Sequence, residues 1–217
     1  METLEMMPVR IRIAAILRKA IYSGEYKSGD ELSLTDVAAQ LGVSRTPVRE
    51  AFQVLEGEGL ITLRMNKGAI VNTVDRKFIR DIFEMRILLE AEAARRAAEN
   101  GMDGKILENL LERLHVLRDH IEAVDTAEYA ALNRAVHQAV WQAADNHQLT
   151  AYLLQMWNGP SVGRGQDAAA HHYRNSTDEH ISILEFIRDR KAEDAKKAML
   201  RHIERSMENM LAYYPET

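Results

Sequence analysis

The stretch Leu32–Leu63, LSLTDVAAQLGVSRTPVREAFQVLEGEGLITL, leaves the first part of this chain few ways to fold. Ser33 is placed to N-cap a short helix, with Asp36 three residues on in a box-like position. Leu34, Val37, Ala38 and Leu41 then recur at helical spacing, and Gly42 is the residue expected to end the helix. Only Val43 separates that glycine from the next N-cap, Ser44, and Val43 with Val48 forms a hydrophobic staple across the new helix start. Pro47 falls in the first turn, where its missing N–H is tolerated. The spacing predicts two crossed helices joined by a tight turn, with Val48, Ala51, Phe52 and Leu55 buried. Arg45, Thr46, Arg49 and Gln53 are left facing outward.

Such a face suits a DNA groove. Arginine grips guanine O6 and N7 in a fork or pairs with phosphate, and Thr and Gln reach base edges or backbone. The same pattern also fits an ordinary helical hairpin with a solvated basic face. On either side, Pro8 can open a helix running to about Tyr22, with Ile11, Ala14, Ala15, Arg18 and Ile21 on one stripe. Residues 23–32 read as a turn-rich connection. Leu60–Arg64 and Ala69–Thr73 read as two strands around Met65-Asn66-Lys67-Gly68, either a plain stabilising hairpin or a wing that brings Lys67 and the Gly68 backbone to DNA.

Charge narrows how DNA would be held. The 217 residues carry a net charge of −5, so no general basic coat exists. Residues 1–76 hold ten Lys+Arg against ten Asp+Glu, and residues 77–217 hold 18 against 23. Affinity must come from local placement of Arg45, Arg49, Arg64 and Lys67. There is no cysteine, hence no disulfide framework and no thiolate metal site. No apolar run approaches the roughly 20 residues that span a bilayer, and no signal peptide opens the chain, so a cytoplasmic protein without membrane partners is expected.

From Val74 onward the pattern changes to helices throughout, with breaks that imply about six of them and no strand signal. The expected organisation is a DNA-binding domain at residues 1–75 and an antiparallel all-α bundle at residues 76–217, a mainly α protein. Asn133 and His137 lie four residues apart on one helix. His180 shares a stripe with Ile183, Leu184 and Ile187, and His202 shares one with Met199, Ile203 and Ser206. Each histidine alone fits a hydrogen-bonded core residue. Together, three imidazoles and an amide oxygen from three helices fit a divalent metal, with Zn, Ni or Mn as candidates and positions left open for another ligand. Spacing does not establish that they converge. Arg86 lies inside the apolar stripe of Ile79, Ile82, Phe83, Glu90 and Ala93 and needs a partner, either Glu90 one turn away or the carboxylate of a small bound acid. His115, His120, His147, His171 and His172 read as surface or structural residues, and the segment 158–174 as a loop over a pocket.

The words SRTPVREAF and LEGEGLI closely resemble the winged helix-turn-helix of the GntR family of bacterial transcriptional regulators, over about residues 8 to 74. The resemblance implies operator contacts by Arg45, Arg49, Thr46 and the wing-tip Gly68, and paired heads on an inverted repeat, hence a homodimer. The later pattern of an amide four residues before a histidine, then EH-x-x-IL, then M-x-x-H resembles the FCD effector domain of FadR-type members, over roughly residues 78 to 213. There the metal ligands match Asn133, His137, His180 and His202, the family more often having Asp at the first place, and an arginine matching Arg86 faces the effector. Six helices would suggest the VanR-like subgroup. The resemblance implies a DNA-binding regulator, commonly a repressor, answering a small organic acid. A metalloenzyme lacks an evident general base beside the ligands, and an architectural DNA-binding protein with structural histidines would need no ligand.

Overall fold

In a computed structural model, residues 8–65, 67–157 and 166–212 are described, with side chains resumed after the gap from His172. The chain divides into a unit reaching to Phe78 and a second beginning at Ile79.

The first unit runs α1 (Val9–Ser23), β1 (Glu31–Leu32), α2 (Leu34–Leu41), α3 (Arg45–Gly57), β2 (Ile61–Arg64) and β3 (Gly68–Val71). The Ser33 side chain accepts from the Asp36 N–H, and Gly42 caps α2 with φ of 65°. Ser44 caps α3 only by its extended backbone, because the N–H that a serine cap commonly takes at the third helical position is missing from Pro47. Val48, Ala51, Phe52 and Leu55 are fully buried, as their spacing requires, beneath Ile13, Leu17 and Ile21 of α1. The buried stripe of α1 is Ile13, Ala14, Leu17, Ala20 and Ile21, displaced from the one expected: Ala15 is exposed. Arg18 is instead drawn into a two-pronged ion pair with Glu58, whose Nε–Oε2 bond is 2.8 Å. The sheet has one strand more than the hairpin expected, in the order β1-β3-β2, all antiparallel. Glu31 and Leu32 pair with Ile70 and Ala69 inside a segment read as turn, two residues being too few to show a period.

The second unit comprises most of α4 (Arg76–Asn100), then α5 (Gly104–Asp119), a 3-10 turn at Ile121–Ala123, α6 (Thr126–Ala143), α7 (His147–Met156), α8 (Gln166–Arg188) and α9 (Ala192–Leu211). Six α-helices among the described residues match the breaks expected from sequence. Asp103 caps α5 by accepting from the N–H groups of Lys105 and Ile106. The α8–α9 connection is only Asp189–Lys191, so these two packed helices run antiparallel. α8 also packs against α5 and α6. Ala91, Ala93, Ala94, Ala97 and Ala98 of α4 are buried, small residues that permit close helix approach. Of the loop expected over residues 158–174, Gln166 onward belongs to α8, and 158–165 lie outside the described residues.

Candidate functional sites

On α3, Arg45, Thr46, Arg49 and Gln53 are all exposed, on the side opposite Val48 and Phe52. Among the described residues no ion pair engages Arg45 or Arg49, so both charges are available to a polyanion. Lys67 is exposed beside the wing turn, whose Asn66 lies outside the described residues. Arg64 donates to Glu31 Oε1 at 3.0 Å across the exposed face of the sheet. Gly68 is buried with φ of +92°, and a Cβ there would stand 2.0 Å from the Leu32 carbonyl oxygen. Its glycine is therefore demanded by the approach of β1 to β3, a reason the sequence could not reveal while β1 was unseen.

In the bundle, α6, α8 and α9 each deliver one imidazole to a single point. The Nε2 atoms of His137, His180 and His202 form a triangle with all three edges 3.2 Å. The three side chains are no more than 3% exposed. Behind them stand two carboxylates. His137 Nδ1 meets Glu90 Oε2, and His202 Nδ1 meets Glu179 Oε2 at 2.7 Å. A neutral ring that donates from Nδ1 presents an unprotonated Nε2, so at least two lone pairs face the centre of the triangle. Only His180 has a proton to offer there, too few for three edges to be hydrogen bonds.

A divalent cation at the centre would resolve that arrangement. Imidazole nitrogens placed tetrahedrally about 2.0–2.1 Å from zinc stand about 3.3–3.4 Å apart. The observed edges fall close to that spacing. Burial lowers the pKa of His202 to about 4, against the pull of Glu179, and burial with its charged neighbours lowers that of His180 well below the usual imidazole value. Both rings are thus neutral at pH 7, the form that ligates. Burial would raise both carboxyls, but His137 with Arg86 holds Glu90 at about 2, and His202 with Arg205 holds Glu179 at about 2. Asn133 lies half-buried one turn before His137.

Residues 10–71 match the family described as bacterial regulatory proteins, gntR family, and residues 81–205 match the FCD domain family. The chain is a GntR-family transcriptional regulator with an FCD domain. GntR regulators bind operator DNA, and FCD domains bind small-molecule effectors and metal ions. The regulator is 27% identical to the Nta operon transcriptional regulator of Aminobacter aminovorans, over 87% of this chain and 88% of that one. It is 29% identical to the HTH-type transcriptional repressor RspR of Escherichia coli K12, over 94% and 89% of the respective chains. Its fold resembles that of E. coli McbR/YncC, with a TM-score of 0.76 at 22% identity, over 97% of this chain and all of that one.

Two arginines complete the regulator's buried site. Arg86 lies on Glu90, its Nε and Nη2 donating to Oε1 at 3.0 and 2.7 Å, so the residue one turn away is a partner of this arginine. Arg205 grips Glu179 with two prongs and also approaches His172 Nδ1 at 3.2 Å. Sequence reasoning missed Glu90, Glu179, Arg205 and Trp141 as members of this site. Glu90 was visible only as a neighbour for Arg86, and Glu179 only as the acid preceding His180. His172, read as surface or structural, is 7% exposed and accepts from Asn209 Nδ2 at 2.9 Å. Among the described residues, no helix is long and apolar enough to cross a membrane.

Proposed function

We propose that this regulator represses transcription by binding an inverted-repeat operator as a homodimer, and releases it when a small carboxylate binds at a divalent metal held by His137, His180 and His202. Arg45, Thr46, Arg49 and Gln53 would read or grip the major groove, while Arg64, Lys67 and the Gly68 backbone would meet the flanking backbone or minor groove. Asn133 would add an oxygen ligand, and Zn, Ni or Mn all accept such a donor set. The ion, when bound, would offer a Lewis-acid position to an anionic oxygen. Six helices in the bundle favour the VanR-like subgroup, residues 1–75 and 76–217 serve as the working division, and operator binding fits a cytoplasmic location.

The observation that carries this reading is the triangle of Nε2 atoms with 3.2 Å edges. Charge supplies the anionic effector. Glu90 and Glu179 are each answered by an arginine, Arg86 and Arg205, and Asn133 is neutral. A divalent ion would therefore bring a positive charge into a buried site that these residues do not cancel, and an anion in the open positions would offset it. Ser176, one turn before His180, supports a ligand on that side. Among the described residues its buried Oγ finds no hydrogen bond of ordinary geometry, although the Tyr129 phenol lies near enough for its ionisation to feel the hydroxyl. Arg86 donates to Glu90 and would offer the effector a further donor, with Ser176 as a second contact.

Signal transfer would run through α4, which begins at Arg76, a short connection after β3, and carries Glu90 further along. An effector moves DNA affinity only by binding two arrangements unequally, with typical coupling of about 1–3 kcal/mol. The test is calorimetric titration of metal-stripped protein with Zn²⁺, Ni²⁺ and Mn²⁺, followed by operator gel shifts with organic acids. His137→Ala should lose more than about 100-fold in metal affinity and all effector response, while still binding operator without effector. A wild-type protein that takes up no metal, or a folded His137→Ala protein that no longer binds operator, would overturn the metal-sensor reading.

A further inference from the structure

Glu90 is wholly buried and carries four donors on its two oxygens. Oε1 accepts from Arg86 Nε and Nη2 at 3.0 and 2.7 Å, and Oε2 accepts from His137 Nδ1 and from Trp141 Nε1, the latter at 3.3 Å. A carboxylate has about four lone-pair sites, so this one has none left for an ion. It stands behind a ligating imidazole, on the ring nitrogen away from the triangle, and is itself fixed by a guanidinium that stacks 5.0 Å over the Phe83 ring. Glu179 is related to His202 in the same way, but it is 29% exposed and, among the described residues, anchored by His202 and Arg205 of α9. Of the two imidazoles backed by a carboxylate, His137 is thus the one whose rear nitrogen is more completely enclosed.

We propose that Glu90, held by Arg86 and Trp141, is the positioning residue of the centre. It locks His137 in the Nδ1–H tautomer, so that the Nε2 lone pair is aimed at the other two imidazoles before any ion arrives. Arg86 acts through Glu90 in this arrangement. An ionised carboxylate behind the ring also makes Nε2 a better donor, as such outer partners do at other metal centres. The inference rests on the metal-sensor reading for its consequence, but the tautomer belongs to the metal-free protein and is measurable on its own.

The experiment uses full-length protein with ¹⁵N-labelled histidine, metal-stripped, in two variants. Glu90→Gln keeps a hydrogen-bonding side chain opposite Arg86. The double variant Arg86→Met/Glu90→Leu replaces the buried pair by apolar groups of similar size, a change that such pairs commonly tolerate. Long-range ¹H–¹⁵N spectra should show Nδ1–H at His137 in wild type and a mixture of tautomers in the double variant. Zn²⁺ affinity should fall by about 10–100-fold in the double variant and towards the lower figure in Glu90→Gln. If the double variant melts like wild type, keeps the Nδ1–H tautomer and binds Zn²⁺ equally well, the proposal is overturned. If it does not fold, Glu90→Gln decides alone: Zn²⁺ affinity and His137 spectrum equal to wild type overturn the proposal. A wild type that takes no Zn²⁺ but whose His137 tautomer changes with Glu90 supports the proposal and removes only the metal-sensor reading.

Discussion

The outward face of α3 and the histidine cluster of the bundle are both polar surfaces built on helices, and they are accommodated in opposite ways. Arg45, Thr46, Arg49 and Gln53 stay in water, and among the described residues the two arginines have no ion-pair partner. In the cluster the side chains are buried and protein groups supply the partners: Glu90 receives four donors, Glu179 is gripped by Arg205, and His137 and His202 each spend one nitrogen on a carboxylate. A side chain in the first region owes nothing to its neighbours, so its removal should change binding and leave stability alone. In the second, removal of any member strands another in a low-dielectric setting, so stability and binding change together.

The largest effect separating the two regions should come from Glu90→Ala. It removes the carboxylate under Arg86 and behind His137, and breaking a buried ion pair from one side costs about 3–5 kcal/mol. Urea unfolding monitored at Trp141 should show the loss. A variant as stable as wild type would mean that the cluster is as loosely coupled as the surface. Arg49→Ala is the counterpart on α3. Operator affinity should fall by about 1–3 kcal/mol if the guanidinium reads a base, while an exposed substitution of this kind leaves stability within about 0.5 kcal/mol. Unchanged operator binding would take Arg49 out of the contact set, and a large drop in melting temperature would break the contrast itself.

The same contrast governs what could be read in advance. The α2–turn–α3 unit was legible because its evidence is local: Ser33, Gly42, Ser44 and Pro47 act on residues within four positions, and burial repeats with the helix. Convergence of His137, His180 and His202 was not legible in the spacing, because it depends on how helices carrying residues 43 and 22 positions apart cross. Helical spacing told that each ring faced inward; only packing could bring three Nε2 atoms together. Glu90 was hidden for a further reason. Its role requires knowing which of its neighbours, Arg86 one turn away or His137 on another helix, it serves, and it serves both. β1 failed at the other extreme, since two residues carry no period, and with it went the real cause of Gly68.

The smallest effect concerns Arg64, which among the described residues proposed to meet DNA is the cation already held in an ion pair. Glu31, Ile70 and Thr62 form a row across the sheet; Arg64 is two residues beyond Thr62 and so on the same face, opposite Gly68, which has no side chain to bar its way to Glu31. Both members of the pair are exposed, and such pairs contribute only about 0–1 kcal/mol to stability. Glu31→Gln should therefore leave the melting temperature nearly unchanged. A DNA phosphate must displace Glu31 to recruit Arg64, so the substitution should strengthen operator binding, by no more than about fivefold, and make it more dependent on salt. Removing an acid near DNA would also help by long-range field alone, and the two causes separate in an Arg64→Ala background. If Glu31→Gln gains as much there as in wild type, Arg64 is not the route. If the gain vanishes with Arg64, the wing carries a charge that the free protein holds in check and the operator releases.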